Sequence, residues 1–348
     1  MRDALLDIVR SGILAPSADN EHVFRFELLS KGIRLWPTPA FATATGDLPR
    51  VLGLLSMGAV LENMQLRAGQ LGLTLDAHWL PITEDQPMLD LQASTSLVAP
   101  EDLANAIPER HTNRRMYHGP GLTEVESAAL NEAVAPVQGT RLVWLQGAQR
   151  RQALKLIWAA ESERFLRQQL HHDIYSSIRF DTSWTDSTEW SLPPGALEIE
   201  MPMRPFFKAL RHWPLMRWLN WLGVHRLVGL RAGWLPAWQA PALGVLVTSL
   251  PLTPGAVAVG RALERLWLRC SLLELAFQPL AASAVLMQTS CSEGGASGQL
   301  RATLAQGWQG IAPGSLPLMV FRLGRAARPS VRSGRRPVAD YAVLRPDS

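Results

Sequence analysis

The sequence is poor in lysine, in cysteine and in charged residues overall, which make up 18% of the chain. Only three of its 34 basic residues are lysines, so 31 are arginines. Arginine suits planar, bidentate recognition of phosphate, although codon bias produces the same skew. The two cysteines, Cys270 and Cys291, are too few for a disulfide framework. We therefore expect a reducing, cytoplasmic setting.

Long apolar runs and nucleic-acid motifs are also missing. No run of about 18 uncharged apolar residues occurs, which argues against a membrane-spanning helix. The start, MRDALLDIVRSGIL, has Asp3 and Asp7 inside its apolar pattern, so we expect no signal peptide. The net charge is only +4, and there is no helix-turn-helix, zinc knuckle or dense basic stripe, so nucleic acid is not an expected partner.

Hydrolytic and metal chemistry have no good candidates. The G-x-S-x-G motif of a nucleophile elbow is absent. His171 and His172 are adjacent, so on a helix they point to different faces, and we predict no metal site. The segment SEGGASG (292–298) lacks the Lys-Ser/Thr of a phosphate loop and is expected to be a flexible loop.

One pattern of elements occurs twice along the chain. Apolar spacing predicts a helix over 2–14, then a hairpin turned at Lys31-Gly32, a long buried helix closed by Gly72, and a further strand. Residues 123–146 repeat the helix, an Ala-Pro break and a strand. Residues 259–281 also match residues 57–79 at a constant offset of 202, with these identities: Gly58 and Gly260, Leu61 and Leu263, Glu62 and Glu264, Leu66 and Leu268, Arg67 and Arg269.

This duplication predicts an α+β fold of two tandem repeats, each an antiparallel sheet flanked by helices, packed as an intramolecular pseudo-dimer. The first unit is expected over 1–107 and the second over 108–348. An insert over 160–240, rich in Trp and Arg, has no counterpart in the first unit. We expect this insert to pack on the pseudo-dimer as a lid. The alternative is a membrane-surface helix, but apolar residues around most of the helix favour burial in protein.

The two units differ where they should be equivalent. The first has Ala15-Pro16-Ser17 followed by Asn20, while the second has lost the hydroxyl and the amide, with Val137 and Gly139 in their places. The second unit instead begins with RHTNRRMY (110–117). Arg110, Thr112 and Arg114 alternate there, so an extended segment presents all three on one side. That set matches a phosphate monoester, and a solvated basic turn is the alternative.

Four segments together resemble the FMN-dependent nitroreductase superfamily, and more narrowly its members with two fused repeats. They are APSADNEHVFRF, RHTNRRMYHGPGLTEVESAAL, GRALERLWLRCSLLELAF and PLMVFRLGRAARPSVRSGRRPVADY. The resemblance implies one FMN in the groove between the units, because each unit keeps only one half of the site. It also implies hydride transfer from NADH or NADPH through FMN to a nitroaromatic, quinone or similar acceptor, in a monomer or weak homodimer.

The resemblance also implies roles for individual residues. Arg110, Thr112 and Arg114 would hold the phosphate, helped by Arg335 or Arg336 near the C-terminus, where a solvated tail is the alternative. The cofactor-facing loop would supply Pro16, Ser17 and Asn20, and a backbone N–H of Pro279-Leu280-Ala281 would approach the flavin N5. No catalytic side chain is required, since the flavin does the chemistry.

Two features depart from the family pattern. His22 stands where the family has an amide, and it is expected to be a locally bonded turn histidine. The insert falls where it could cover the groove and hinder nicotinamide. Flavin storage with little turnover is therefore the alternative function.

Overall fold

The computed structural model describes residues 1–44, 48–289 and 295–343. Cys291 lies outside this part of the chain, as does the start of the segment 292–298. The first half contains these helices and strands: α1 (Arg2–Ile13), β1 (Phe24–Leu28), β2 (Gly32–Pro37), α2 (Pro39–Thr43), α3 (Leu48–Gln70), β3 (Leu73–Trp79) and β4 (Leu89–Thr95). The second half contains these: α4 (Glu124–Val134), β5 (Thr140–Trp144), α5 (Gly147–Leu166), α6 (Gln168–Ser176), α7 (Arg204–Ala209), α8 (Trp213–Asn220), α9 (Val224–Gly229), α10 (Leu235–Gln239), β6 (Ala242–Thr248), α11 (Leu252–Leu272), β7 (Ala276–Pro279), α12 (Ala282–Val285), α13 (Gly298–Ile311), β8 (Leu316–Gly324) and β9 (Ala342–Val343).

The strands form two sheets with the same internal order. One sheet runs β3-β4-β2-β1-β9 and the other runs β7-β8-β6-β5. If β1, β2, β3 and β4 are taken to correspond to β5, β6, β7 and β8, the order of these four strands is the same in both sheets. All pairings among them are antiparallel. The exception is β9, which adds in parallel to β1. The α+β architecture with two antiparallel sheets therefore agrees with the sequence prediction.

The central contact between the two halves is made by α3 and α11. A Cβ built on Gly58 would lie 2.0 Å from the carbonyl oxygen of Val257, and one on Gly260 would lie 2.0 Å from that of Leu55. Both contacts are related by the same 202-residue offset that the sequence shows. The backbones of the two helices can approach this closely because neither glycine carries a side chain. The arrangement is that of a two-fold interface, in which each side contributes the same patch.

The insert forms a small layer of its own on α5. It contains helices α6 to α10, which precede β6. The predicted start of the insert, residue 160, lies inside α5 and not at the end of a helix. The following buried side chains form a separate core there: Phe165, Tyr175, Ile178, Leu210 and Met216. The outer face leaves apolar side chains exposed, with Trp221 90% accessible. The insert therefore buries the apolar side chains of its inner face in protein, whereas apolar side chains of its outer face are exposed.

Within the described ranges, none of the helices combines the length and the apolar character needed to cross a bilayer.

Candidate functional site

The loop after α1 is bent by two residues in the left-handed region. Asp19 has φ 54° and Asn20 has φ 62°. Asp and Asn tolerate this conformation better than other residues with side chains. The chain therefore turns from α1 into β1 within a few residues, as the Pro16 and Asn20 pattern predicts. We call residues 15–20 the shelf.

Cationic and polar side chains from distant segments cover the carbonyl end of α1. Arg335 donates from Nε to the Ile13 oxygen at 2.9 Å and from Nη2 to the Ala15 oxygen at 2.8 Å. Arg110 donates from Nη2 to the Leu14 oxygen at 2.8 Å. These carbonyls have no partner within the helix and form the negative end of its dipole. Arg110 and the segment around Arg335 are thereby held against the end of α1, next to the shelf.

His22 takes part in the same cap. Its Nε2 lies 2.9 Å from the Ile13 oxygen, and burial lowers the pKa of the ring to about 3. The ring is therefore neutral at physiological pH and contacts Phe24 and Tyr341. This agrees with the expected role of a locally bonded turn histidine.

The segment 110–117, which we call the arm, is extended and anchored from its inner side. Asn113 is 2% exposed, and its backbone N–H donates to the Phe277 oxygen at 2.9 Å. Its side-chain amide donates to the Ala327 oxygen at 2.9 Å. The fully buried Arg322 donates to the Arg115 oxygen at 2.7 Å and lies over the Tyr117 ring. The Asn113 side chain therefore points into the protein, on the side opposite to the side chains of Thr112 and Arg114.

A cavity of about 350 Å³ lies between the shelf and the arm. This volume is within the usual range for sites that bind small molecules and cofactors, about 300–1,000 Å³. Nine of the eleven residues predicted for the site line it: Pro16, Ser17, Asn20, Arg110, Thr112, Arg114, Pro279, Ala281 and Arg335. Residues of the shelf and of segment 110–117, which are far apart in the sequence, therefore line one cavity.

Arg110 is held in place by a buried carboxylate. Its Nε lies 3.3 Å from Oε1 of Glu264, and the guanidinium lies 4.7 Å from the centroid of the Trp267 ring. Burial raises the pKa of Glu264 to about 7, despite the opposing effect of Arg110. Near neutral pH this carboxyl is therefore only partly ionised, and it does not fully neutralise Arg110.

The cavity still has unused polar capacity at both ends. The buried Oγ of Ser17 has no hydrogen-bond partner among the described residues. Arg110 donates from Nη2 to the Leu14 oxygen, whereas its buried Nε, 3.3 Å from Glu264, makes no hydrogen bond to the described residues. Arg114 uses Nη1 for the Ala196 oxygen at 3.1 Å. A guanidinium has five N–H donors, so both arginines keep donors for a ligand. A free hydroxyl and two cationic forks in one cavity wall fit a molecule with a phosphate and a polar ring.

Four of the predicted residues either lie outside the lining or already bond to groups of the protein. All three nitrogens of Arg335 already donate to protein oxygens, including Oδ1 of Asn20, so this residue supports the shelf and has no fork left for a phosphate. Arg336 is outside the lining and pairs with Glu21 at 3.4 Å. The amide of Asn20 donates to the oxygens of Ser191 and Gly334, both at 3.2 Å, so it joins the insert and the C-terminal segment to the shelf.

Leu280 is the fourth of these residues and lies outside the lining of this cavity. Its backbone N–H donates to the Val320 oxygen at 2.7 Å, as part of the contact with β8. Pro279 has no N–H, so Ala281 is the member of this stretch that can present one to a ligand.

Sequence reasoning missed the residues that position the arm. Trp267 and Glu264 lie one turn apart on α11 and together fix Arg110. The sequence shows Glu264 only as the residue that matches Glu62 at the 202-residue offset. The difference between them is that Glu62 pairs with Arg261 and Arg265, both at 2.7 Å, whereas Glu264 pairs with the arm. His171, considered for a metal, lies 2.8 Å from the Leu210 oxygen inside the insert.

Comparisons with known proteins give structural matches only. No family model matches the chain, and no curated protein matches it. The FMN-dependent nitroreductase of Mycobacterium smegmatis in complex with NADPH is 16% identical, with a TM-score of 0.38, over 69% of this chain and 97% of that one. A nitroreductase with bound FMN from Bacteroides fragilis is 12% identical, with a TM-score of 0.36, over 65% and 89%. A nitroreductase-like family protein from Bacillus cereus is 11% identical, with a TM-score of 0.35, over 70% and 96%.

Proposed function

We propose that this chain is a nitroreductase-like flavoprotein that binds one FMN between its two units. It would oxidise NADH or NADPH and reduce a nitroaromatic, quinone or similar small molecule. One observation carries the proposal. The shelf of the first unit and the arm of the second line the same cavity, and each brings donors that the protein itself does not use.

The arm is suited to the phosphate end of the cofactor. Arg110, Thr112 and Arg114 face one cavity from an extended segment, and burial strengthens hydrogen bonds between the guanidinium groups and an anion. Arg110 is also prepositioned by Glu264 and Trp267, so little side-chain entropy remains to be lost when an anion binds.

The shelf and the stretch after β7 are suited to the ring end. Ser17 supplies the unpartnered hydroxyl, Pro16 an apolar contact, and Ala281 a backbone N–H. FMN bound there would supply the hydride-accepting chemistry, while the protein positions the ring and excludes water. We assign no catalytic side chain.

The test compares two neighbouring arginines. R114A should weaken FMN binding about 10- to 150-fold, because each lost charge-assisted hydrogen bond is worth about 1.5–3 kcal/mol. R115A is the matched control, since Arg115 is outside the cavity lining and pairs with Glu198 at 3.3 Å. The double variant R110A/R114A should purify colourless. Visible absorption and a flavin titration measure both effects. Equal FMN affinity in R114A and R115A would contradict the phosphate assignment.

Flavin storage is the second candidate, and the insert favours it. Leu192 and Ala196 of the insert line the cavity, and Arg114 donates to the Ala196 oxygen. An insert that forms part of the wall restricts access of nicotinamide to the ring. Mixing the yellow protein with NADPH in the absence of oxygen separates the two functions. Bleaching of the flavin supports the oxidoreductase, whereas an unchanged spectrum with both nicotinamides supports storage.

A further inference from the structure

A second cavity adjoins the first and is built largely by the insert. Its volume is about 750 Å³, which is ample for a ligand of drug size. The two cavities share a boundary formed by six residues: Asp19, Leu52, Arg114, Leu192, Pro279 and Ala281. A molecule in the second cavity would therefore have one end beside the stretch that we place near the flavin ring.

Most side chains that the insert contributes to this cavity wall are apolar. Side chains from α5, α6, α7 and α9 contribute to it, among them Phe165, Ile174, Phe207 and Val228. Leu227 stands at the exposed side of the lining, with 67% of its surface accessible. Apolar side chains are thus present in the wall from the shared boundary to the surface of the insert.

The charged residues of the wall are balanced in pairs. Arg164 lies 3.0 Å from Glu161, and Arg231 pairs with Glu200. The remaining two, Asp19 and Arg114, have opposite formal charges and belong to the boundary with the first cavity. The three carboxylates and three guanidinium groups of the wall therefore cancel in formal charge. The favoured ligand therefore has no net charge.

We infer that the second cavity binds the apolar chain of an uncharged, ring-headed amphiphile, with its head at the boundary beside Pro279 and Ala281. A quinone with a long alkyl or isoprenoid chain has this chemistry. The inference rests on the proposed function for the role of the head as electron acceptor, while the site for the chain stands on the cavity itself. The insert would then bind substrate, in addition to packing on the rest of the chain as a lid.

The experiment measures binding by calorimetry to the protein with and without added FMN. The probes are benzoquinones that share one ring and carry alkyl chains of increasing length. Affinity should rise about fourfold for each methylene that becomes buried, up to the length of the cavity. An affinity independent of chain length would overturn the inference.

Two leucine variants locate the chain. L227D places a charge in the lining and should weaken binding of the long-chain probe at least about tenfold, because a carboxylate is poorly tolerated beside an apolar ligand. L222D is the control, since Leu222 is outside the lining and is similarly exposed, at 70%. Both side chains are largely in solvent, so neither variant should unfold the protein. Equal effects of the two variants would also overturn the inference.

A flavin titration of the same samples separates this inference from the proposed function. If the protein binds FMN but its affinity for the quinone does not increase with chain length, the inference is refuted and the proposed function is not. Protein that binds the long-chain probe in the expected series but takes up no FMN refutes the proposed function and retains the chain site.

Discussion

Substitution of Gly58 by alanine should force α3 and α11 apart. The added Cβ would lie 2.0 Å from the Val257 oxygen and 2.9 Å from the Arg261 nitrogen. Both are backbone atoms of the facing helix, so no side-chain rotation can relieve the overlap. The same holds for Gly260, whose Cβ would meet the carbonyl group of Leu55.

The expected cost follows from two opposing effects. Overpacking a close contact destabilises by about 1–3 kcal/mol. Alanine in a helix is better than glycine by about 0.5–1 kcal/mol, which offsets part of this. Because both overlaps are with backbone atoms at 2.0 Å, the upper part of the overpacking range applies, and G58A and G260A should each lower the free energy of unfolding by about 1–2.5 kcal/mol. Because either substitution already separates the helices, the double variant should cost less than the sum of the two.

Urea unfolding of the four proteins measures these values, with G69A as the internal control. Gly69 lies on α3 as well, but a Cβ built there has no atom within 4 Å. G69A should therefore stabilise the protein by about 0.5–1 kcal/mol. If G58A behaves like G69A, or if G58A and G260A are additive, the two-fold packing of these helices is wrong.

Two further predictions concern the site. S17A should raise the stability of the FMN-free protein by about 1 kcal/mol, because it removes a buried hydroxyl without a partner, and should weaken FMN binding. Thermal unfolding and flavin titration must therefore move in opposite directions. The pKa of Glu264 is raised in the fold to about 7, so the folded state binds this proton more tightly than the unfolded state. Stability should fall by about 3 kcal/mol as the pH rises from about 4.5 through 7, and E264Q, which cannot ionise, should lack that component in urea titrations across this range.

Much of the fold follows from local sequence patterns. The helix over 2–14 ends one residue early, and the hairpin forms where Lys31-Gly32 predicts it. The capping box of Thr123 and Glu126 begins α4. The insert was harder to predict because its helices are short and apolar on several sides, so periodicity does not tell the buried face from the exposed one.

The site residues were predictable where the alternation of side chains along an extended segment places them. They were less predictable where groups of the protein compete with a ligand for the same side chain. Arg110, Thr112 and Arg114 reach one cavity because period-two geometry requires it. Arg335 and Asn20 have the right chemistry for a ligand, yet they bond backbone carbonyls that only the folded chain brings near. Composition and spacing cannot reveal such competition, since the competing acceptors are the ends of α1 and of distant loops.

The parallel pairing of β9 with β1 has a consequence for synthesis of the chain. Phe26 pairs with Ala342, so the edge of the N-terminal sheet is completed by residues made more than 300 positions later. A nascent chain on the ribosome would hold that edge open until residue 343 has emerged. Contacts of this separation slow folding and expose unpaired strand edges meanwhile.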